Sequence, residues 1–209
     1  MSSPAHPLEL AVWRRTVAAH YKAVREATGD PAAAAARFRR EKDDLFRAHS
    51  ESPIAPERRA AWPGLAWYDH DPQWRVVGAM TPTRERETFE ISLLADGLLR
   101  CTRVGHVAFT VAGHAASLAL YWLEGYGGGL WLPFGDATNG TTTYGGGRYL
   151  YDTIKGADLG VRANDVVLDF NYAYNPSCAY DDRWSCPLAP PENRLPFAVT
   201  AGERVASSR

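Results

Sequence analysis

Two stretches of this 209-residue chain carry side chains suited to binding or acid–base chemistry. The first runs from Trp131 to Leu150. It holds Asp136, Thr143 and Tyr144, then the glycines 145–147, and then Arg148. Glycines let backbone approach a ligand closely, and a guanidinium offers a planar fork of donors that fits a carboxylate or phosphate. An anion clamp at Arg148 is one reading, and a structural pair between Arg148 and Asp136 or Asp169 is the other. The glycines lead into a strand and no Gly-Lys-Ser/Thr follows, which excludes a Walker-type phosphate loop. Asn139-Gly140-Thr141 reads as turn chemistry.

The second stretch, Val167 to Tyr180, holds Asp169, Asn171, Tyr174 and Asn175. The two-residue period of a strand puts Asp169 and Asn171 on one face, where an acid and an amide can together hold a small polar molecule. Alternatively, Asp169 and Asn175 cap turns leading into Pro176. Cys178 and Cys186 follow, eight residues apart. Buried inert thiols, a disulfide, and a metal or catalytic role all remain open, although no CxxC or HxxxH spacing supports zinc. Cys101 falls in a strand pattern and reads as core, and His70, His106 and His114 occupy turn-like positions.

Helices and strands must position these groups. Leu10, Trp13, Val17, Tyr21 and Val24 recur at steps of three and four, which predicts a helix over 8–27. Gly29-Asp30-Pro31 supplies a stop, a cap and a first-turn proline for a second helix ending near His49. The mixed charges at 37–44 read as its solvated face. After a Pro-containing linker at 51–68 the pattern turns to strands. Short runs begin at Trp74, Thr88, Leu98, Val107, Ser117, Leu130, Arg148, Val166 and Phe197, with connectors at Asp96-Gly97, Gly105-His106 and Gly113-His114. One domain over 1–209 is expected: a mainly β, α+β fold in which two N-terminal helices pack on a curled, barrel-like antiparallel sheet of about eight or nine strands. The body spans 69–202 and a frayed tail 203–209.

Composition narrows the function classes. Lys and Arg total 23 against 24 Asp and Glu, a net charge of −1, which disfavours binding along nucleic acid. Apolar residues make up 45%, without a run long enough to span a membrane, so a soluble cytoplasmic protein is expected. Neither a metal nor a cofactor is indicated, and a homo-oligomer is compatible with the sequence.

A set of short motifs carries a resemblance. Asp136-Ala137-Thr138, Thr143-Tyr144-Gly145, Gly147-Arg148-Tyr149-Leu150, Asp169-Phe170-Asn171, Ala173-Tyr174-Asn175-Pro176, Cys186-Pro187-Leu188, Pro190-Pro191-Glu192-Asn193-Arg194-Leu195-Pro196 and Ala201-Gly202-Glu203 resemble the bacterial and archaeal family known as domain of unknown function 1684. The likeness covers about 36–204 and departs at Gly135, where a larger polar residue is expected. It implies that Asp136, Thr143, Tyr144, Arg148, Asp169, Asn171, Asn175, Glu192 and Asn193 form one polar cluster, and it names no substrate.

The combined expectation is a barrel mouth that binds a small polar or anionic molecule through Arg148, Asp169 and Asn171. Trp122, Trp131 and Tyr144 would be its walls, and Thr143, Tyr174, Asn175, Glu192 and Asn193 would lie around it. A rival reading is a hydrolase or lyase with Asp136 or Asp169 as base and Arg148 stabilising an anion. A third is an interaction module using the Pro-rich ribbon 187–196, which could equally strap the fold shut by docking Leu188 and Leu195.

Overall fold

The structure is a computed structural model that describes residues 6–93 and 97–205. Two antiparallel helices, α1 (Pro7–Arg25) and α2 (Pro31–Ala48), and a short α3 (Pro56–Arg59) precede seven strands. The Asp30 side chain accepts from the amide of Ala32 and Pro31 occupies the first turn, so the expected start of α2 is realised. The strands are β1 (Arg75–Leu93), β2 (Gly97–Val111), β3 (His114–Leu123), β4 (Gly129–Phe134), β5 (Arg148–Asp152), β6 (Val161–Arg162) and β7 (Asp165–Asp169). They form one antiparallel sheet in the order β5-β4-β3-β2-β1-β7-β6, which is open.

Seven strands replace the expected eight or nine for three reasons. The runs at Trp74 and Thr88 are one bulged strand: both pair with β2, Ala79 to Pro82 and then Glu87 to Leu93, and the register shifts between Pro82 and Glu87. Gly105-His106 is no connector. Gly105 lies inside β2 where the register shifts, and a Cβ there would stand 2.7 Å from both Met80 Sδ and the Thr81 carbonyl. Phe197 to Thr200 forms no strand, since its backbone groups are taken by the side chains of Asp136 and Arg148. The Asp96 half of the predicted Asp96-Gly97 turn lies outside the described residues.

Although the sheet is open, its curl brings distant strands together. The Tyr151 hydroxyl on β5 donates to the carbonyls of Gly160, at 2.9 Å, and of Val167 on β7, at 2.7 Å. The main core lies on the concave side, where Val107, Phe109, Val111, Leu118 and Leu120 meet Phe134, Leu150, Leu168 and Phe170. Tyr21 of α1 and Phe38 of α2 join this core, Phe38 edge-on to Tyr172 at 5.0 Å. A second apolar cluster on the other face gathers Cys101, Ala119, Tyr121, Leu123, Trp131 and Tyr149. β3 is therefore buried on both sides, as its nearly continuous apolar sequence requires.

Candidate functional site

Arg148 is sealed in the interior, 0% exposed, and so is Asp136. One guanidinium nitrogen donates to Asp136 Oδ2 at 2.9 Å and to the Val199 carbonyl at 2.9 Å. The other donates to the carbonyls of Ala201 and Glu203. Asp136 Oδ1 in turn accepts from the amides of Thr138 and Val199 and from the Thr138 hydroxyl. Thr143 closes the network through Thr138 Oγ1 at 2.7 Å. Of the two readings of Arg148, the structural pair with Asp136 is realised, and neither residue lines any of the three cavities described below.

Asp169 and Asn171 form a separate unit. Asp169 caps the turn Phe170–Tyr172 by accepting from the Asn171 amide, while the Asn171 side chain donates to the Asp71 carbonyl at 2.9 Å and accepts from the Asp71 amide at 3.0 Å. The turn-capping alternative thus holds for Asp169, which also borders a groove of about 560 Å³ beside Arg75 and Tyr172. Among the described residues no hydrogen bond joins this unit to Arg148, and none of the three cavities is lined by both.

The remaining candidates scatter for the same reason: each satisfies nearby backbone. Asn193 stitches two strands, its amide donating to the carbonyls of Ala119 and Pro133 and its oxygen accepting from the Ala119 amide. Trp131 is core, and Trp122 is 38% exposed on the sheet surface. Tyr144 points its hydroxyl at Cys178 Sγ, 3.5 Å away. Glu192 accepts from Tyr121 and Arg103 at the edge of an open cleft of about 720 Å³ between the β1/β2 hairpin and the Pro-rich strap. Leu195 docks that strap on the core, whereas Leu188 is 51% exposed.

Tyr174 and Asn175 are different, because they border a small chamber between the helices and the sheet. Its volume is about 70 Å³, roughly half that of an engineered apolar cavity that accepts benzene. Trp13, His20, Tyr21, Phe38, Lys42 and Phe46 come from α1 and α2; Lys155, Ser177 and Tyr180 come from the loops around the sheet. Lys42, 12% exposed at its side chain, pairs with Glu203, which is 1% exposed. The ammonium also lies 4.7 Å from the centre of the Tyr174 ring, 5.3 Å from Phe46 and 5.5 Å from Trp67. Glu203 Oε2 accepts from the Asn175 amide at 2.8 Å and from the Tyr180 hydroxyl. Buried charges persist only when paired and hydrogen-bonded, and this carboxylate is both.

Local sequence explains how Glu203 arrives there. Gly202 adopts φ +79°, and a Cβ at that position would stand 2.6 Å from the carbonyls of Phe170 and Ala173. Only glycine fits so close a turn, and it drives the next side chain inward. The segment expected to fray from 203 onward thus begins with one of the most buried residues; residues 206–209 lie outside the described ones.

Lys42 and Glu203 escape a sequence reading for opposite reasons. Lys42 sits in a run of alternating charge that suggests a solvated face, yet Phe38, Lys42 and Leu45 follow the step of four and three that marks the buried stripe of α2. Glu203 belongs to a glycine-led terminal motif whose turn cannot be oriented without its neighbours.

Burial shifts several groups at the chamber. The His20 imidazole is held below its ordinary value, chiefly by desolvation, with the Glu41 carboxylate opposing. The phenols of Tyr21 and Tyr174 are pushed well above 10 by burial, so both stay protonated donors at neutral pH. Among the described residues neither hydroxyl has a hydrogen-bond partner. Away from the chamber, burial raises the Asp169 carboxyl while the Asn171 hydrogen bonds oppose it. Folding therefore favours protonated Asp169, and that contribution is lost as pH rises through its folded value. Asp169→Asn keeps an acceptor for the Asn171 amide and should match or exceed the parent's urea midpoint at pH 7, the gap closing toward pH 4, where the unfolded group also holds its proton.

The family described as "Protein of unknown function (DUF1684)" matches residues 60–204. The chain belongs to that family. The match starts at 60 rather than at the expected 36, so the DUF1684 region holds the sheet, Arg148, Tyr174 and Glu203, while α1 and α2 precede it. No curated protein matches. A solution NMR structure of an uncharacterized protein of Haloarcula marismortui is similar at 35% identity and a TM-score of 0.60, over 83% of this chain and 94% of that one. DUF1684 membership fixes the family without an activity. Among the described residues no helix is long and apolar enough to cross a membrane, and no three His, Cys, Asp or Glu side chains gather as a metal site.

Proposed function

We propose that this chain binds a small carboxylate in the chamber between the helical pair and the sheet. One observation supports the reading above the others: Lys42 and Lys155 line the chamber, while their carboxylate partners Glu203 and Asp152 do not. The lining thus carries two cationic residues and no Asp or Glu, which favours negative charge inside although the pairs are neutral overall. The phenols of Tyr21 and Tyr174, without a hydrogen-bond partner among the described residues, supply neutral donors for carboxylate oxygens, and Trp13, Phe38 and Phe46 give the apolar wall that small-molecule sites use. The expected preference for a polar or anionic molecule is kept and its place moves from Arg148 to Lys42.

The volume restricts the bound part to a few heavy atoms, or to the head of a longer molecule that leaves past half-exposed Lys155. A thermal-unfolding panel of acetate, propionate, pyruvate, succinate and, as a control, phosphate tests this. A carboxylate at one hundred times its Kd stabilises by about 2.7 kcal/mol, a shift of roughly 5–10 °C for a domain of this size. Lys155→Met and Tyr21→Phe should each weaken the shift by at least about fivefold in apparent Kd while leaving the ligand-free midpoint within a few degrees. The absence of any carboxylate-dependent shift, or equal shifts in both variants, would overturn the assignment.

A further inference from the structure

We propose that the free edge of β1 over 87–93 docks an extended basic segment of a partner protein, laid into the open cleft between the β1/β2 hairpin and the Pro-rich strap. β7 pairs with β1 only from Arg75 to Ala79, whereas β2 accompanies it to Leu93. Beyond the bulge between Pro82 and Glu87, β1 thus has a strand neighbour on one side only. Among the described residues its backbone over 87–93 makes no hydrogen bond outside the ladder with β2. Unpaired amides and carbonyls along a strand are a template for another strand. The edge offers a length of roughly 24 Å, at about 3.4 Å per residue.

The cleft supplies side-chain contacts beside that edge. The two-residue period puts Glu87, Phe89 and Ile91 on one face of β1, and Phe89 and Ile91 pack on the cluster that holds Cys101 and Tyr121. The facing wall is the strap, where Pro190 and Pro191 have no amide hydrogen to offer. Backbone donors for an incoming chain therefore come from β1, while the strap gives apolar contact that includes exposed Leu188. The cleft volume of about 720 Å³ lies within the range of binding sites.

Charge selects the occupant. The lining holds Glu87, Glu90 and Glu192 against one cation, Arg103, which is already shared between Glu87 at 2.5 Å and Glu192 at 2.6 Å. Arg100 pairs with Glu90 at 2.8 Å from outside the lining, so carboxylates outnumber guanidiniums even with Arg100 counted. Glu87 and Glu90 are each about half exposed and can take a further cation. A second copy of this chain fits less well, because two such edges overlapped antiparallel along 87–93 set Glu90 opposite Glu90. An antiparallel segment lying opposite 91 to 87 reads, in order, apolar, cationic, apolar, any residue, cationic, and so meets Ile91, Glu90, Phe89, Thr88 and Glu87.

The test titrates the full-length chain against a fluorescein-labelled peptide, Thr-Val-Arg-Val-Thr-Arg-Thr, and follows its anisotropy. The expected Kd lies below about 100 μM and rises at least about threefold between about 50 and about 300 mM salt. Bound peptide should slow amide exchange over 87–93. The same peptide with both arginines replaced by glutamate should bind at least about tenfold more weakly. N-methylation of one set of alternate residues should abolish binding and that of the other set should be tolerated, since successive amides of an antiparallel strand point to opposite sides. Glu90→Lys alters an exposed ion pair of small worth to stability; it should weaken the arginine peptide at least about fivefold and tighten the glutamate one. No binding at about 1 mM chain, equal affinity for both peptides, indifference to both methylation sets, protection elsewhere than 87–93, or a dimer of the chain that the peptide does not displace would each overturn the proposal.

Discussion

Replacing Arg148 by methionine is expected to lower the unfolding free energy by about 3–5 kcal/mol, the cost of stranding a buried charge by removing its partner. The residue holds Asp136 and three carbonyls, those of Val199, Ala201 and Glu203, so one substitution unpairs an acid and leaves three acceptors short of a donor. Against a typical stability of about 5–15 kcal/mol this is a large fraction, visible as a lower urea midpoint and a fall in melting temperature on the order of 10 °C. Arg148→Lys should rescue little, since a single ammonium cannot reproduce the planar fork that reaches acceptors on several sides. Adding Asp136→Asn to Arg148→Met should recover part of the loss by removing the unpaired charge. An unchanged midpoint in Arg148→Met would show that the chain between 197 and 203 is held by something else.

Lys42→Met should have an effect of similar size, about 3–5 kcal/mol, because Glu203 would remain ionised in the interior without its cation. The aromatic cage makes this case more informative. Methionine retains contact with the rings of Phe46, Trp67 and Tyr174, so the loss is electrostatic rather than steric. Combining Lys42→Met with Glu203→Gln should restore at least half of the stability, and the double-mutant cycle should give a coupling energy above about 1.5 kcal/mol. Additive single effects would mean that the two side chains do not act as a pair. The same double variant should fail to respond to carboxylates, which separates binding from folding.

Much of the fold was readable from residue types and spacing, because the signals were local. Asp30 and Pro31 start α2 as their chemistry requires, and apolar runs mark the strands from Ser117 to Phe134. Strand limits failed where local and long-range demands differ. Gly105 looks like a turn, yet it is a glycine because the backbone of β1 passes too close for a side chain. The polar residues were correctly singled out as unusual and wrongly gathered into one site. Arg148, Asn171 and Asn193 are each consumed by carbonyls distant in sequence, and no spacing rule reveals which carbonyls a curled sheet will deliver to a side chain. Lys42 was hidden by its own neighbours: four of the five residues before it are basic or acidic, while the buried period of the helix passes through it.

The chamber has walls of two different origins. The sheet and its loops contribute Tyr174, Asn175 and Tyr180, whereas His20, Tyr21, Lys42 and Phe46 stand on a helical hairpin that precedes the matched family region. A container assembled this way divides labour between a fixed floor and an exchangeable lid. Under the proposed binding, changing a few side chains on the hairpin would alter what is admitted without disturbing strand pairing, so selectivity and architecture would vary independently in chains built on this plan.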